Sequence, residues 1–285
     1  MNMKVFLTGG TGFIGRQIIK GLKDKHDLAI LTRQDNLKKE DFENIQIYHG
    51  DLSDKKGIEN IVTNFNPDSA IHLAWGGISE GDYSLKQSII NFEEGRNFLR
   101  GLSKTNCKKI IFAGSDQEYG RREGKLNENM PAVSINPFTT AKNSLNNFGR
   151  EISKEMGADF YWLRAFYVYG LGQKKGLLYN LLKNIKEGKV PEIKTPFSKH
   201  DFIYVGDIVR AFIDLQDKKG GGIYNLGSGY STSVRDFMEI TYKLMEINYN
   251  GSFIEQKEIS DRWADISKIK REIGWEPKIS LEEGI

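Results

Sequence analysis

The sequence has very little cysteine and no long apolar run. Cys107 is the single cysteine in 285 residues, so an internal disulfide is excluded and a structural thiol is the expected role. No Cys/His cluster has metal-ligand spacing, so we expect no metal site. No segment approaches the ~18 consecutive apolar residues of a membrane span, and the apolar stretch near the N-terminus is too short for a signal sequence. We therefore expect a cytoplasmic protein with no membrane partner.

The chain also lacks an excess of charge of one sign. Its 41 Lys and Arg residues against 38 Asp and Glu leave a formal net charge of +3. Because the charges are mixed and form no long basic block, nucleic acid is not an expected partner. Six prolines, 30 glycines and a hydrophobic fraction of 39% exclude a disordered or collagen-like chain. The composition is that of a globular protein.

Short segments rich in Ile, Val, Leu, Phe and Tyr alternate with segments of helical periodicity over the first two thirds of the chain. The predicted strands are residues 4–8, 28–32, 45–48, 70–73, 109–113 and 160–164, and helical periodicity is found in 13–23, 83–103 and 141–156. This alternation is typical of βαβ units in a parallel sheet covered by helices on both faces. We therefore predict an α/β fold with a Rossmann-type, doubly wound sheet and ligand sites at the carboxyl ends of its strands.

The rhythm of strands and helices changes after residue 170, where a stretch rich in Gly and Lys (170–176) begins. We predict a dinucleotide-binding domain over residues 1–170. Residues 171–285 would form a smaller α/β lobe that mainly binds substrate, and the chain is free to cross between the two. No internal repeat is visible.

A glycine-rich segment directly follows the first predicted strand and opens the first predicted helix. It fits G-x-G-x-x-G, in which glycines let the backbone approach a pyrophosphate at the positive end of a helix. The context of a strand before and a helix after makes the match more specific than the motif alone. The predicted cofactor residues here are Gly9, Gly10, Thr11, Gly12, Phe13, Ile14 and Gly15.

The end of the second predicted strand bears on the choice of dinucleotide. NAD sites usually place an acidic residue there, to bind the ribose 2′-hydroxyl. This chain has Arg33 instead, and a guanidinium can hold a 2′-phosphate in bidentate fashion. NADP is therefore the preferred cofactor, although the nearby Asp35 leaves NAD as an alternative. After the third strand, Asp51 is placed to meet the adenine amino group, with Leu52 in the same site.

Several further motifs resemble the extended short-chain dehydrogenase/reductase family, in its nucleotide-sugar branch. They are TGGTGFIG (8–15), Gly50-Asp51-Leu52, His72-Leu73-Ala74, Asn91, Ser115 with Tyr119-Gly120, residues 163–170, residues 201–207, residues 224–227 and Gly274-Trp275. The resemblance covers nearly the whole chain. It implies a Rossmann domain whose cofactor site includes Leu73, Ala74 and Trp75. It also implies a small lobe over a sugar nucleotide, and a homodimer joined by a four-helix bundle from helices near 83–105 and 136–156.

Within this branch, residues 112–115 and 118–120 are similar to CDP-abequose synthase and related 4-ketoreductases, which reduce 4-keto-6-deoxy sugar nucleotides with NADPH. The family's catalytic set is Ser/Thr with Tyr-x-x-x-Lys, which brings Tyr and Lys onto one helical face. Ser115 and Lys142 match, but Phe138 stands at the tyrosine position. Three explanations remain open. The chain is an engineered variant, or its proton comes from Ser115, Asp116, a neighbouring tyrosine or water, or catalysis has been lost.

The resemblance also implies residues that contact the substrate. Arg262 matches an arginine that binds the diphosphate, and Asp116, Gln117, Tyr167 and Lys174 are the other candidates. Because Gln117 is not a base, a dehydratase reaction is disfavoured. The preferred function is reduction of a 4-keto-6-deoxy nucleotide sugar for surface polysaccharide synthesis. The alternatives are an NAD-dependent 4-epimerase or 4,6-dehydratase, and a catalytically silent NADP-binding protein.

Overall fold

The computed structural model describes residues 2–38, 42–78, 81–249, 251, 253 and 256–285. The chain divides into two compact units. Unit 1 consists of residues 1–120, 131–164 and 209–224, and unit 2 of residues 121–130, 165–208 and 225–285. In the parts of the chain that the structure describes, no helix combines the length and the apolar character needed to cross a membrane.

The strands and helices alternate along the chain as the sequence predicts. The strands are β1 (Lys4–Thr8), β2 (Asp27–Thr32), β3 (Gln46–His49), β4 (Ser69–His72), β5 (Lys109–Ser115), β6 (Gly124–Leu126), β7 (Asp159–Ala165), β8 (Tyr167–Tyr169), β9 (Lys199–His200), β10 (Phe202–Tyr204), β11 (Gly222–Leu226), β12 (Thr232–Ser233) and β13 (Asp261–Ala264). The helices are α1 (Phe13–Leu22), α2 (Lys55–Phe65), α3 (Leu85–Leu102), α4 (Pro137–Met156), α5 (Leu177–Lys186), α6 (Val205–Asp214), α7 (Val234–Leu244), α8 (Ser267–Ile273) and α9 (Leu281–Gly284).

The main sheet has the order β11-β7-β5-β4-β1-β2-β3, with seven strands among the described residues. The pairs β3–β2, β2–β1, β1–β4 and β4–β5 are parallel. Because β2 and β3 extend the sheet to one side of β1 while β4 and β5 extend it to the other, the strand order reverses between β1 and β4. Open parallel sheets bind ligands at such a reversal. The predicted Rossmann-type α/β fold is therefore confirmed.

The core of unit 1 contains a cluster of aromatic rings between the sheet and α3. Phe6, Phe98 and Phe112 are fully or almost fully buried, and the ring of Phe98 lies within 5.8 Å of Phe6 and 6.5 Å of Phe112, between centroids. Burying one such ring contributes about 1.5–3 kcal/mol to the free energy of unfolding. Cys107 is also buried, and burial raises the pKa of its thiol to about 12. This agrees with a structural role for the thiol.

The described residues of unit 2 form two small sheets. Strands β10 and β8 pair in parallel, and a second sheet has the order β12-β9-β13-β6. Its core includes Phe202 and Phe237, whose ring centroids are 4.4 Å apart. The buried carboxylate of Asp201 accepts hydrogen bonds from the backbone N–H groups of Gly229 and Ala264, at 3.1 and 3.0 Å. These bonds hold separate segments of unit 2 together around one acidic side chain.

The division into units differs from a single boundary after residue 170. Residues 121–130 and 165–170 belong to unit 2, and residues 209–224 belong to unit 1. The pairing of strands explains why residues 121–130 belong to unit 2 and residues 209–224 to unit 1. In β6, Gly124 pairs with Arg262 of β13, which brings 121–130 into unit 2. Strand β11 returns to the edge of the main sheet beside β7, which brings residues before it into unit 1.

Candidate active site

The glycine-rich loop joins β1 to α1 at the point where the strand order reverses. Gly9 has a φ of +75°, and a Cβ there would lie 2.7 Å from the backbone nitrogen of Ala74. A Cβ on Gly15 would lie 2.8 Å from the Cα of Gly10. The loop therefore has no room for a side chain at either position. Without side chains, its backbone can approach a bound ligand closely.

The N-terminus of α1 is open for an anion. Its N-cap, Gly12, provides no side-chain hydrogen bond, and the first turn has no acidic residue. The first N–H groups of a helix lack intrahelical partners and carry a partial positive charge. A backbone cradle without side chains, next to these donors, fits the pyrophosphate of a dinucleotide. The geometry at Gly9, Gly12 and Gly15 is thus compatible with the predicted cofactor site.

Arg33 and Asp51 meet beyond the ends of β2 and β3. Arg33 Nη1 lies 3.6 Å from Asp51 Oδ2, and both side chains are exposed to solvent. Hydrogen bonds from Ser53 lower the pKa of Asp51, with Arg33 adding a smaller effect of the same sign. Asn97 of α3 donates to the Leu52 carbonyl at 3.0 Å. The structure therefore brings three predicted cofactor residues, Arg33, Asp51 and Leu52, to the same edge of the sheet.

Lys142 lies in a buried, aromatic environment on α4. Its Nζ donates to the carbonyl oxygen of Ala113 at 2.7 Å and lies 3.7 Å from the centroid of the Trp75 ring. Burial lowers the pKa of Lys142 to about 7, and the negative charge of Glu118 opposes this shift. The helix begins at Pro137, with Asn136 as its N-cap, and both residue types are favoured at these positions. This start fixes Lys142 one turn after Phe138.

Phe138 is buried, and two aromatic side chains contact its ring edge-on. The centroids of Trp75 and Tyr83 lie 5.7 and 5.1 Å from that of Phe138. Trp75 therefore links Phe138 to Lys142, and Leu73 and Ala74 precede it in the loop after β4. Tyr83 could not be singled out from the sequence, because it precedes α3 and lies 55 positions from Phe138.

Ser115 ends β5 and caps the short 3-10 helix Asp116–Tyr119. Its Oγ accepts from the Gln117 N–H at 3.2 Å and donates to Asp116 Oδ1 at 3.3 Å. Asp116 and Gln117 are partly buried beside it. The capping role and the predicted substrate contact are compatible, because a hydroxyl both donates and accepts.

A buried carboxylate supports this turn, and sequence reasoning did not identify it. Glu118 is fully buried and accepts from the Ser115 N–H at 2.7 Å, from Trp162 Nε1 at 2.9 Å and from Arg164 Nε at 3.0 Å. Arg164 is also buried, with its guanidinium carbon 4.5 Å from the Tyr119 ring centroid. The available signal was an arginine within a strand of apolar residues, since such a charge needs a partner.

His72, part of the motif after β4, is a core residue. Its Nδ1 shares a hydrogen bond of 2.7 Å with Thr8 Oγ1, and its ring stacks on Phe98 with 5.3 Å between centroids. Burial lowers the pKa of His72 to about 3, with a smaller contribution from Lys142. The imidazole is therefore neutral at physiological pH, and it fixes β4 against β1.

Three of the predicted substrate residues, Tyr167, Lys174 and Arg262, lie in unit 2. Tyr167 and His200 have ring centroids 5.7 Å apart and line a cavity of about 270 Å³. Arg262 pairs with His200 in the register of β13 and β9. Lys174 is exposed in the connection from β8 to α5 and does not line this cavity. The structure thus groups Tyr167, His200 and Arg262 and leaves Lys174 apart from the cavity.

Two characterised relatives match almost the whole chain. A UDP-glucuronate 4-epimerase from Thermodesulfobacterium geofontis is 26% identical over 98% of this chain and 93% of the epimerase. A dTDP-4-dehydro-6-deoxyglucose reductase from Escherichia coli is 28% identical over 99% of this chain and 95% of the reductase. These relatives are nucleotide-sugar-modifying enzymes of two kinds, so they do not distinguish epimerisation from reduction.

A solved structure matches the fold with a TM-score of 0.87. It is a Tyr-to-Phe mutant of UDP-glucuronic acid 4-epimerase from Bacillus cereus, in complex with UDP-4-deoxy-4-fluoro-glucuronic acid and NAD, and it is 22% identical over 99% of this chain and 96% of the epimerase. The model of the NAD dependent epimerase/dehydratase family matches residues 5–227. Together with the Rossmann-type sheet and the glycine cradle, this match shows that the chain belongs to that family.

Proposed function

We propose that the protein reduces a 4-keto-6-deoxy nucleotide sugar with NADPH, in the synthesis of a surface polysaccharide. The observation that carries this proposal is the exposed guanidinium of Arg33 beyond the end of β2. A guanidinium at this position binds a 2′-phosphate, which NADP has and NAD lacks. The similarity to a dTDP-4-dehydro-6-deoxyglucose reductase supports the same reaction class.

The residues around Lys142 have defined roles in this proposal. A reduced nicotinamide, when bound, would supply the hydride for C4 of the sugar. The Lys142 ammonium, held beside Ala113 and Trp75, would position the nicotinamide ribose through hydrogen bonds. Ser115 binds the C4 oxygen, because its hydroxyl is held at the carboxyl end of β5 by the turn around Glu118. Gln117 offers no carboxylate for removing a C5 proton, which argues against dehydration.

The predicted substrate residues of unit 2 would hold the nucleotide part of the sugar nucleotide. Arg262 would bind the diphosphate, since guanidinium groups form paired hydrogen bonds with phosphate oxygens. Tyr167 lines the cavity described above, and its aromatic ring suits contact with a nucleotide base. Lys174 would add a more distant positive charge.

A homodimer is part of the same proposal. Helix α3 exposes Leu85 and Ile89, which are 64% and 53% accessible and one turn apart. Adjacent apolar side chains on one helical face are typical of an interface. Helix α3 packs on α4 within unit 1, so two copies would pair as a four-helix bundle.

The test is a panel assay with purified protein. CDP-, dTDP-, GDP- and UDP-linked 4-keto-6-deoxy sugars are incubated with NADPH or NADH, and cofactor oxidation and sugar products are measured. We expect oxidation of NADPH with at least one sugar nucleotide and a product reduced at C4. Absence of oxidation with every compound, for both the wild type and Phe138→Tyr, would refute the reductase proposal.

An NAD-dependent 4-epimerase is the second candidate, favoured by the similarity to UDP-glucuronate 4-epimerase. It predicts that the purified protein carries oxidised NAD and interconverts UDP-sugars at C4 without net cofactor use. A catalytically silent NADP-binding protein is the third, favoured by the phenyl ring at Phe138. It predicts NADP binding without affinity for any sugar nucleotide, and no gain of activity in Phe138→Tyr.

A further inference from the structure

The position of the missing hydroxyl is enclosed by aromatic side chains. Phe138 is 3% exposed, and the ring of Tyr83 meets it edge-on, with centroids 5.1 Å apart and an angle of 79° between the planes. Tyr83 itself is 38% exposed, so it is accessible to solvent while in contact with the catalytic region. Tyr83 therefore carries a phenolic hydroxyl next to the ring of Phe138, which has none.

Hydrogen bonds on both sides of Tyr83 hold its segment in place. The Asp82 N–H donates to the Gly77 carbonyl at 2.9 Å, and the Ser84 N–H donates to Asp82 Oδ1, also at 2.9 Å. Ser84 then caps α3 by accepting from the Gln87 N–H at 3.2 Å. Ser84 and the start of α3 directly follow Tyr83. Because this helix start is fixed, the backbone after Tyr83 holds its ring against Phe138.

Ser115 and Lys142, the two residues that match the family's catalytic set, already make hydrogen bonds within the protein. The Ser115 hydroxyl donates to Asp116 Oδ1 at 3.3 Å, and Lys142 Nζ donates to the Ala113 carbonyl at 2.7 Å. The Trp75 ring also covers the Lys142 ammonium at 3.7 Å from the ring centroid. These contacts suit Ser115 for binding the C4 oxygen and Lys142 for binding the ribose, and they favour a separate proton donor.

We propose that Tyr83 supplies the proton for carbonyl reduction, in the role that the hydroxyl absent from Phe138 would otherwise have. This inference rests on the proposed reductase function. The C4 carbonyl carbon gains a hydride from the reduced nicotinamide, which is oxidised in the same step. The electron pair of the carbonyl π bond moves to oxygen, and that oxygen takes the proton of the Tyr83 hydroxyl. Tyr83 then regains a proton from water, which its exposure permits.

The experiment compares four variants with the wild type: Tyr83→Phe, Phe138→Tyr, the double variant Tyr83→Phe/Phe138→Tyr, and the control Tyr179→Phe. Tyr179 is 39% exposed on α5, so the control removes a hydroxyl from an equally exposed tyrosine that has no role in the proposed reaction. Tyr83→Phe keeps the ring and its contact with Phe138. We therefore expect an unchanged melting temperature in all four variants.

We expect Tyr83→Phe to lower kcat by about a hundredfold or more, the usual contribution of a general acid. KM for the sugar nucleotide and the Kd for NADPH should stay within about twofold, because the lost proton acts in the reaction and not in ground-state binding. The double variant should recover activity through the new hydroxyl at position 138 beside Lys142. Tyr179→Phe should match the wild type.

The outcomes separate this inference from the proposed function. An active wild type with an equally active Tyr83→Phe would overturn the role of Tyr83 and leave the reductase proposal standing. A parallel loss of kcat and of sugar-nucleotide binding in Tyr83→Phe, with no recovery in the double variant, would also overturn it, because a structural role explains that pattern. A wild type and a Phe138→Tyr variant that are both inactive would overturn the reductase function itself.

Discussion

At the scale of single residues, Arg33 is the side chain on which the choice between NADP and NAD depends. We predict that Arg33→Ala weakens NADP binding about 10- to 100-fold, since a hydrogen bond to a charged group contributes about 1.5–3 kcal/mol. NAD has no 2′-phosphate, so its Kd should change little. Isothermal titration of both dinucleotides measures the difference, with Arg235→Ala on α7 as the control.

An equal loss of affinity for both dinucleotides in Arg33→Ala would contradict a role in recognising the 2′-phosphate. The loop around Asp51 should survive the substitution, because Asp51 Oδ1 accepts a hydrogen bond of 2.8 Å from the Ser53 N–H that does not involve Arg33. Tighter binding of NAD than of NADP by the wild type would show that the exposed guanidinium serves another purpose.

His72 gives a second prediction at this scale, concerning stability against pH. Its pKa of about 3 in the folded protein lies below the value of 6.5 that a solvent-exposed histidine has. Between these two values the unfolded chain binds a proton that the folded protein does not bind. The free energy of unfolding therefore decreases as the pH falls from 6.5 towards 3, by a few kcal/mol in total. Urea titrations at several pH values measure this slope.

The matched variant for this measurement is His72→Gln, which keeps a polar group beside Thr8 and removes the titration. We expect a lower stability at neutral pH, because the stacking on Phe98 is lost, and a flatter dependence on pH below 6.5. Acidic residues also titrate in this range, so the difference between the two proteins is the relevant quantity. Parallel curves for the two proteins would exclude His72 as a source of the acid sensitivity.

At the scale of secondary-structure elements, the close packing of α3 on α4 depends on Gly95. A Cβ at this position would lie 2.5 Å from Leu145 Cδ2 and 3.0 Å from its Cδ1. We predict that Gly95→Ala destabilises the protein by about 1–3 kcal/mol through overpacking, although alanine favours the helix. Leu145→Ala alone should cost about 2–5 kcal/mol.

The double variant Gly95→Ala/Leu145→Ala tests the contact directly. The small side chain at position 145 makes room for the new methyl group. The double variant should therefore lose less stability than the sum of the losses in the two single variants, by about 0.5–3 kcal/mol. If the losses in the free energy of unfolding, measured with urea, are strictly additive, then positions 95 and 145 do not interact sterically.

Much of this level of structure could be predicted from the sequence. The helix 137–156 has its start encoded in Asn136 and Pro137, and the glycine-rich loop indicates both the end of β1 and the start of α1. These signals are local. The short pair β6 and β13 was not predictable, because residues 124 and 262 meet only through the tertiary fold. The contact of Tyr83 with Phe138 and the burial of Glu118 were hidden for the same reason.

At the scale of the whole molecule, the chain passes five times from one compact unit to the other, and a single boundary cannot describe that organisation. Residues 121–130 leave unit 1 to pair in a sheet of unit 2, and residues 209–224 return. Composition and motifs identify a Rossmann domain and a second lobe, yet they contain no information on which short segments cross. The pairing of strands that are distant in the sequence decides which segments cross. The free energy of that pairing depends on the complete fold.

The oligomeric state is the remaining prediction at this scale. We expect the wild-type protein to sediment as a dimer and the variant Leu85→Glu/Ile89→Lys to sediment as a monomer, because charges on the exposed apolar face of α3 would have to be buried in the bundle. Sedimentation velocity measures the mass. Leu244→Glu, which changes an exposed apolar residue at the end of α7, should remain dimeric. A monomeric wild type would refute the bundle, and a variant that stays dimeric would locate the interface on a face other than that of Leu85 and Ile89.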